Sequence, residues 1–140
     1  YVKEFVKDVD RSKVITASSI MKKPDTLVTS KDGPSVAVRK MEEEEVSTAF
    51  VTDRDKKLRG LVKIEDVIKL KKQGIKDFSS VIVDESLSRI GPDMPLIDVL
   101  PISISSKYPL AVVDEDDRLL GIVIKSRLIS TIVGEEGADV

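Results

Sequence analysis

The sequence predicts an α/β fold of two β-α-β-β-α repeats related by a pseudo-two-fold, preceded by a short helical linker. Three observations carry that expectation. The stretch Leu58-Arg-Gly-Leu-Val-Lys-Ile-Glu-Asp-Val-Ile-Lys-Leu70 returns sixty-one residues later as Leu119-Leu-Gly-Ile-Val-Ile-Lys-Ser-Arg-Leu-Ile-Ser-Thr131, each copy reading as a buried strand that runs straight into a helix. The same shift aligns Asp32 with Asp93, Pro34 with Pro95, Val38 with Val99, Val51 with Val112, Asp53 with Asp114 and Ile68 with Ile129 without a gap. Finally, one copy of about sixty residues buries little apolar surface alone, whereas two copies can press their strands and helices together and leave clefts between them.

In chain order, Val2, Phe5, Val6 and Val9 have helix-compatible spacing, and Asp8-Val-Asp-Arg-Ser12 breaks the pattern into a polar linker. Thr16 is placed to cap a single helical turn that ends before Pro24. Leu27 to Thr29 reads as a short extended piece. Pro34 then opens a helix at its first position, with Val36, Ala37, Val38 and Met41 ahead of the charged Glu42-Glu-Glu-Glu45. Ser47–Thr52 and Leu58–Ile64 are strand-like runs joined by the turn-rich Asp53-Arg-Asp-Lys-Lys57. Glu65 and Asp66 supply the acidic first turn of the next helix, Ile64, Val67, Ile68 and the stem of Lys71 its inward face, and Gly74 its end. In the second copy Pro101 falls inside the first helix, which is expected to be short or kinked there.

Composition narrows the function. Of 140 residues, 41% are apolar and 34% charged, which describes a real core under a well-solvated surface. The absence of His and Cys removes disulfides, thiolate and imidazole catalysis, and zinc sites built on those residues. No catalytic constellation and no metal site are expected. A net charge of −2, aromatics at 4% and no Trp argue against nucleic acid as a partner. No Gly-x-x-x-x-Gly-Lys-[Ser/Thr] phosphate loop occurs, so this chain is not expected to hydrolyse ATP. The acidic turns Asp53-Arg-Asp55 and Asp114-Glu-Asp-Asp117 lack the glycine and terminal glutamate of a calcium loop and are assigned to strand connections.

With the repeat and its strand-helix junction in hand, residues 14–133 resemble a tandem CBS, or Bateman, module. The family pattern is a glycine in a hydrophobic strand, a Thr or Ser three residues on, and an Asp three beyond that. By position the first copy offers Gly60, Lys63 and Asp66, and the second Gly121, Ile124 and Arg127. The resemblance implies that the Asp holds a nucleotide ribose, that the middle residue lies near the phosphates, and that adenine slips between strand residues such as Val51 and Val112. One ribose-binding carboxylate of two is kept. The candidate ligands are the adenine nucleotides AMP, ATP and cyclic di-AMP, with no cofactor fixed by the residues themselves.

The leader, with its Phe5-Val-Lys-Asp-Val-Asp-Arg-Ser12 run, resembles the segment that follows the ATPase domain in ATP-binding subunits of glycine betaine/proline-type ABC transporters. That resemblance implies a linker at 1–13, CBS repeats at 14–76 and 77–134, and a tail at 135–140. It also implies a regulatory domain that gates osmolyte uptake in response to ionic strength, an adenine nucleotide, or both. Its partners would be its own ATPase domain, the permease and a second copy, on the cytoplasmic side of the membrane. The alternative is a ligand-free module that holds the ATPase dimer together.

Each candidate also has a plain structural reading. Asp66 suits a helix start on dipole grounds alone, and Lys63 and Arg127 are either anion contacts at helix N-termini or solvated charges. Lys69, Lys71, Lys72 and Lys76 form either a patch for an anionic membrane surface, screened over ~8 Å at physiological salt, or a wet helix end complementing the macrodipole. Glu42 to Glu45 either pair with those lysines or form a solvated helix end. A cleft lined by Val51, Leu61, Val112 and Ile122 is either core or adenine site.

Overall fold

Turn residues and apolar runs divide the chain where the sequence suggests, and the computed structural model describes residues 15–24, 26–29 and 31–138. A single helical turn, α1 (Ala17–Ile20), leads into β1 (Leu27–Thr29), α2 (Pro34–Glu43), β2 (Thr48–Thr52), β3 (Leu58–Lys63) and α3 (Ile64–Lys72). A 3-10 turn at Ser79–Val81 leads into β4 (Arg89–Ile90), α4 (Leu96–Ser105), β5 (Leu110–Val113), β6 (Leu119–Val123) and α5 (Lys125–Ala138). The helix expected around Val2 to Val9 lies outside the described residues.

Each repeat forms a three-stranded mixed sheet, β1-β2-β3 and β4-β5-β6, with its first pair parallel and its second antiparallel. The antiparallel ladders are copies: Val51 faces Gly60 as Val112 faces Gly121, and the register slips at Val51/Thr52 as it does at Val112/Val113. The connecting turns repeat atom for atom. Asp53 Oδ1 accepts the amides of Asp55 (2.9 Å) and Lys57 (3.0 Å), and Asp114 Oδ1 accepts those of Asp116 (2.9 Å) and Arg118 (2.9 Å). These carboxylates organise their own loops, as strand connections require.

The helices cover the sheets with their apolar stripes. Pro34 occupies the first turn of α2, whose Ala37, Val38 and Met41 face the core. In α3 the inward positions are Val67 and Leu70, while Lys71 is exposed, so Leu70 and not the Lys71 stem completes that face. The α3 end is a Schellman motif: Ile75 N donates to Leu70 O and Gly74 N to Lys71 O, with Gly74 at φ 74. Glu45, at φ 56, ends α2 in the same way without the glycine.

One expectation needs correction. Pro101 does not shorten its helix: α4 runs ten residues, the same length as α2. Pro101 lies on the exposed side of α4, and Ile97, whose carbonyl loses its amide donor to the proline, is 49% exposed. Water can take that carbonyl, which lowers the cost of a proline inside the helix.

The two repeats meet around a pseudo-two-fold axis. Leu58 N donates to Asp117 O and Leu119 N to Lys56 O, both at 2.9 Å, so the hairpin turns bridge each other reciprocally. Farther out, β3 and β6 each gain a neighbour from a leader segment. Leu61 exchanges two hydrogen bonds with Val83 (2.9 and 2.7 Å), and Ile122 exchanges two with Lys22 (2.9 and 2.8 Å). The leaders also fill the cores crosswise: Phe78 packs with the first repeat's Val28, Met41 and Val67, whereas Ala17 and Ile20 pack with the second repeat's Leu96, Val123 and Leu128. A third core, of Phe50, Leu58, Leu61, Leu87, Ala111 and Ile122, seals the sheets together.

The two leader turns begin with different side-chain hydrogen bonds. Thr16, placed by sequence as the α1 cap, pairs its hydroxyl with Ser18 Oγ at 3.0 Å and makes no side-chain cap bond. Its counterpart Asp77 accepts both Ser79 Oγ (2.6 Å) and Ser79 N (2.9 Å). These hydrogen bonds hold the Asp77 carboxyl below its ordinary value of 3.8. Because the folded value is the lower one, the contribution of these hydrogen bonds is present above pH 3.8 and disappears as pH falls through the folded value. A carboxyl NMR titration should therefore find Asp77 with a midpoint below 3.8, and a midpoint at or above it would contradict the two hydrogen bonds from Ser79.

Candidate ligand-binding site

The conserved geometry of the two junctions starts with a crossing of backbones. A Cβ on Gly60 would overlap the Val83 carbonyl oxygen and come within 2.6 Å of Ile82 Cγ2, and Gly60 itself sits at φ 141. A Cβ on Gly121 would lie 2.9 Å from Lys22 O and 3.0 Å from Met21 Sδ. Both glycines therefore let a leader strand cross β3 or β6 at close range, a structural role in addition to any ligand contact.

Beyond Gly60 the chain passes from strand to helix at Lys63, which precedes α3 in extended geometry (φ −102, ψ 138). Glu65 and Asp66 then fall in the first turn, where the helix dipole favours negative charge. Lys63 Nζ lies 3.6 Å from Asp66 Oδ2, with the two side chains 32% and 28% exposed. The residue at the hydroxyl position of the pattern thus pairs with the carboxylate at the ribose position. A partly exposed i,i+3 pair contributes only about 0.2–0.5 kcal/mol, so a ligand can open it at small cost. Once open, the carboxylate can accept two hydroxyl hydrogens of a diol, and the ammonium can meet a phosphoryl oxygen.

The second junction has different chemistry. Ile124 is half-buried against the inter-repeat core, Arg127 is exposed, and no acidic residue stands in the first turn of α5. The Arg127 carbonyl accepts the hydroxyls of Thr131 (2.8 Å) and Ser130 (3.1 Å).

The sequence grouped Val51, Leu61, Val112 and Ile122 around one cleft, and the structure separates them. Leu61 and Ile122 share the inter-repeat core, but Val51 and Val112, each fully buried, belong to the two helix-facing cores. Strand alternation is the reason: Phe50 and Leu61 face the partner sheet, so Val51 and Gly60 one residue away do not. Val51 and Val112 remain neighbours of Gly60 and Gly121 in their ladders, on the covered side.

The lysines form an exposed group at the far end of α3, with Lys69, Lys71 and Lys72 in its last turn and Lys76 after Gly74. Lys71 lines a groove with Arg39, Glu42 and Glu43 of α2, where Arg39 Nε lies 3.9 Å from Glu43 Oε1. Arg89 was not singled out from sequence, yet it ties three segments together. Its Nη2 lies 2.6 Å from Asp84 Oδ1 and donates to Leu58 O at 3.4 Å, and its Nε lies 3.2 Å from Asp117 Oδ1. The Nε approach lies off the N–H direction, making it an ion pair and not a hydrogen bond. Nothing in the repeat signals this residue, because Leu27 holds the matching place in β1.

Fold and junctions together define a class: a tandem module in which two β-α-β-β-α units share a core and exchange leader strands. The chain belongs to the CBS domain family, whose model matches residues 6–73 and 75–134. Over 136 residues the chain is 37% identical to the glycine betaine/carnitine transport ATP-binding protein GbuA of Listeria monocytogenes, covering 97% of this chain and 34% of that protein. It is 36% identical over 135 residues to the glycine betaine transport ATP-binding protein OpuAA of Bacillus subtilis, covering 96% of this chain and 31% of that protein. The chain therefore spans about a third of the length of these relatives.

Among solved structures, Staphylococcus aureus OpuCA matches with a TM-score of 0.72 at 23% identity, covering 82% of this chain and 97% of that one. CBSX2 in complex with AMP matches at 0.71 and 20%, covering 86% and 98%. CbpB in complex with c-di-AMP matches at 0.80 and 12%, covering 99% of both chains. These likenesses show the fold.

Proposed function

We propose that this CBS pair is the regulatory part of an ABC transporter ATP-binding subunit for glycine betaine or a related osmolyte, gating transport in response to an adenine nucleotide, ionic strength, or both. The observation that carries the reading is the Lys63–Asp66 pair at the start of α3, a cation and a carboxylate half-open to solvent in a chain 37% identical to a betaine transport ATP-binding protein. The nucleotide occupies the first junction, with Asp66 on the ribose, Lys63 toward the phosphates and Gly60 beside the base. The second junction, with Gly121, Ile124 and Arg127, is the weaker site because it has no ribose carboxylate. AMP and c-di-AMP in the complexes of CBSX2 and CbpB support an adenine nucleotide over other ligands. The module works with its own ATPase domain and the permease, pairs with a second copy, and lies on the cytoplasmic side of the membrane through the transporter.

Ionic strength acts through the exposed Lys69, Lys71, Lys72 and Lys76, whose attraction to an anionic bilayer of ~1 kcal/mol per charge fades as salt shortens the Debye length. Calorimetric titration with AMP, ATP and cyclic di-AMP at low and high salt, run beside co-sedimentation with anionic vesicles, tests both inputs. Saturable heat with at least one nucleotide is expected, together with vesicle binding that high salt abolishes. No heat with any of the three would reject the nucleotide reading, and no vesicle binding at low salt would reject the lysine patch. Failure of both leaves the second reading, a ligand-free module that holds the ATPase dimer together, which the missing carboxylate at Arg127 favours.

A further inference from the structure

A guanidinium clamp stands on one side of the pseudo-two-fold axis and has no equivalent on the other. Arg89, which opens β4, reaches Asp84 Oδ1 at 2.6 Å, Asp117 Oδ1 at 3.2 Å and the Leu58 carbonyl at 3.4 Å. It thereby joins the leader segment 82–84, the β5-β6 hairpin turn and the first residue of β3. Between Asp84 and Arg89 the chain turns, with Leu87 N donating to Asp84 O at 3.1 Å, and Leu87 enters the inter-repeat core. The Arg89 side chain is 26% exposed and that of Asp84 57%, so the clamp is charge-assisted but still within reach of added salt.

The matching places in the other half cannot build it. The sixty-one-residue shift puts Lys23 where Asp84 stands and Lys56 where Asp117 stands, and the paired ladders put Leu27 where Arg89 stands. Two cations and an apolar side chain form no such clamp. The backbone frame is nevertheless repeated: Lys56 O accepts Leu119 N as Asp117 O accepts Leu58 N, and Lys22 bridges Ile122 as Val83 bridges Leu61.

We infer that Arg89 is a positioning residue for the first junction. Residues 82–84 cross β3 at Gly60, where an added Cβ would overlap the Val83 carbonyl oxygen, and Arg89 fixes Asp84 at the end of that crossing. It so holds a wall of the nucleotide site in its binding form. The inference rests on the nucleotide reading above, which sets the base beside Gly60. A wall already in place need not be ordered by the nucleotide, whereas a wall that opens lowers affinity by the fraction of molecules left closed. The clamp also brings ionic strength to the same site, because added salt screens partly exposed ion pairs.

Amide exchange and calorimetry on the 140-residue chain test this with Arg89→Met, which keeps the stem and removes the charge. Leu61 and Val83 donate to each other's carbonyls, so their amides report opening of the wall directly. In Arg89→Met both should exchange at least ~5-fold faster, while the Lys22 and Ile122 amides of the matching bridge keep their rates. Added salt should speed exchange at Leu61 and Val83 in the unaltered chain and hardly change it in Arg89→Met. Whichever of AMP, ATP and cyclic di-AMP binds the unaltered chain should bind Arg89→Met roughly 5-fold more weakly or worse. Asp84→Asn leaves Arg89 on Asp117 and Leu58 and should shift both readouts the same way, which keeps the test decisive if Arg89→Met fails to fold. Equal acceleration at both bridges would make Arg89 a residue of general stability and overturn the positioning role. Unchanged exchange at Leu61 and Val83, or unchanged affinity, would overturn it while the nucleotide reading stands. No heat from the unaltered chain with any of the three nucleotides would overturn that reading, and the positioning role with it.

Discussion

Alanine at position 60 should lower the thermal midpoint by roughly 10 °C or more, the largest stability effect expected from any single methyl group added to this chain. Two costs add. At φ 141 a side chain is strained by about 1–3 kcal/mol before it meets any neighbour. The new methyl then runs into the Val83 carbonyl oxygen, a backbone atom pinned by two hydrogen bonds to Leu61, so relief requires moving the leader strand itself. Overpacking of that kind costs another ~1–3 kcal/mol, a large share of the roughly 5–15 kcal/mol that holds a domain together. Gly121→Ala should cost less: its φ is not positive, and one of its close neighbours is the flexible Met21 thioether. Thermal unfolding followed by circular dichroism compares the two, and a Gly60→Ala midpoint within ~2 °C of the unaltered chain would refute the close-crossing account.

The second large effect falls on binding. Asp66→Ala should weaken nucleotide binding by roughly 10-fold or more, since hydrogen bonds to a charged carboxylate contribute about 1.5–3 kcal/mol each. Folding should hardly change, because the Lys63–Asp66 pair is partly exposed and contributes a few tenths of a kcal/mol. Calorimetry and thermal unfolding of the same sample separate the two effects. Unchanged affinity would remove Asp66 from the site, whereas a collapsed midpoint would make it a structural residue. Lys63→Thr, which restores the hydroxyl of the family pattern, divides the roles further. If Lys63 only masks Asp66, affinity rises; if it meets the phosphates, affinity falls and the salt dependence of binding flattens.

Much of this could be read from the chain because the relevant chemistry is local. Asp53 and Asp114 close their turns with amides two and four residues away, Pro34 starts a helix it cannot interrupt, and Gly74 ends one in a left-handed turn. At the candidate site, the placement of Asp66 in the first turn of a helix was legible in the same way. Its pairing with Lys63, three residues earlier, was not anticipated, although i,i+3 spacing allows it. The length of the helix around Pro101 was misjudged because propensity treats a helix as isolated, whereas the cost of a proline depends on which side of α4 faces water.

The sequence alone determined the repeat and the asymmetry between the two junctions, through its sixty-one-residue self-match, and the order of elements and the turn chemistry, which depend on residues within a few positions of one another. Only the tertiary structure decided that Lys22 pairs with Ile122 and Val83 with Leu61, that Val51 and Val112 face away from the inter-repeat core, and that Arg89 gathers Asp84, Asp117 and Leu58. Those contacts join segments distant in the chain, and they exist only once the two sheets have docked about their pseudo-two-fold axis. Periodicity fixes which side of a strand is apolar, but the burial of two unlike apolar faces at once fixes what each side meets.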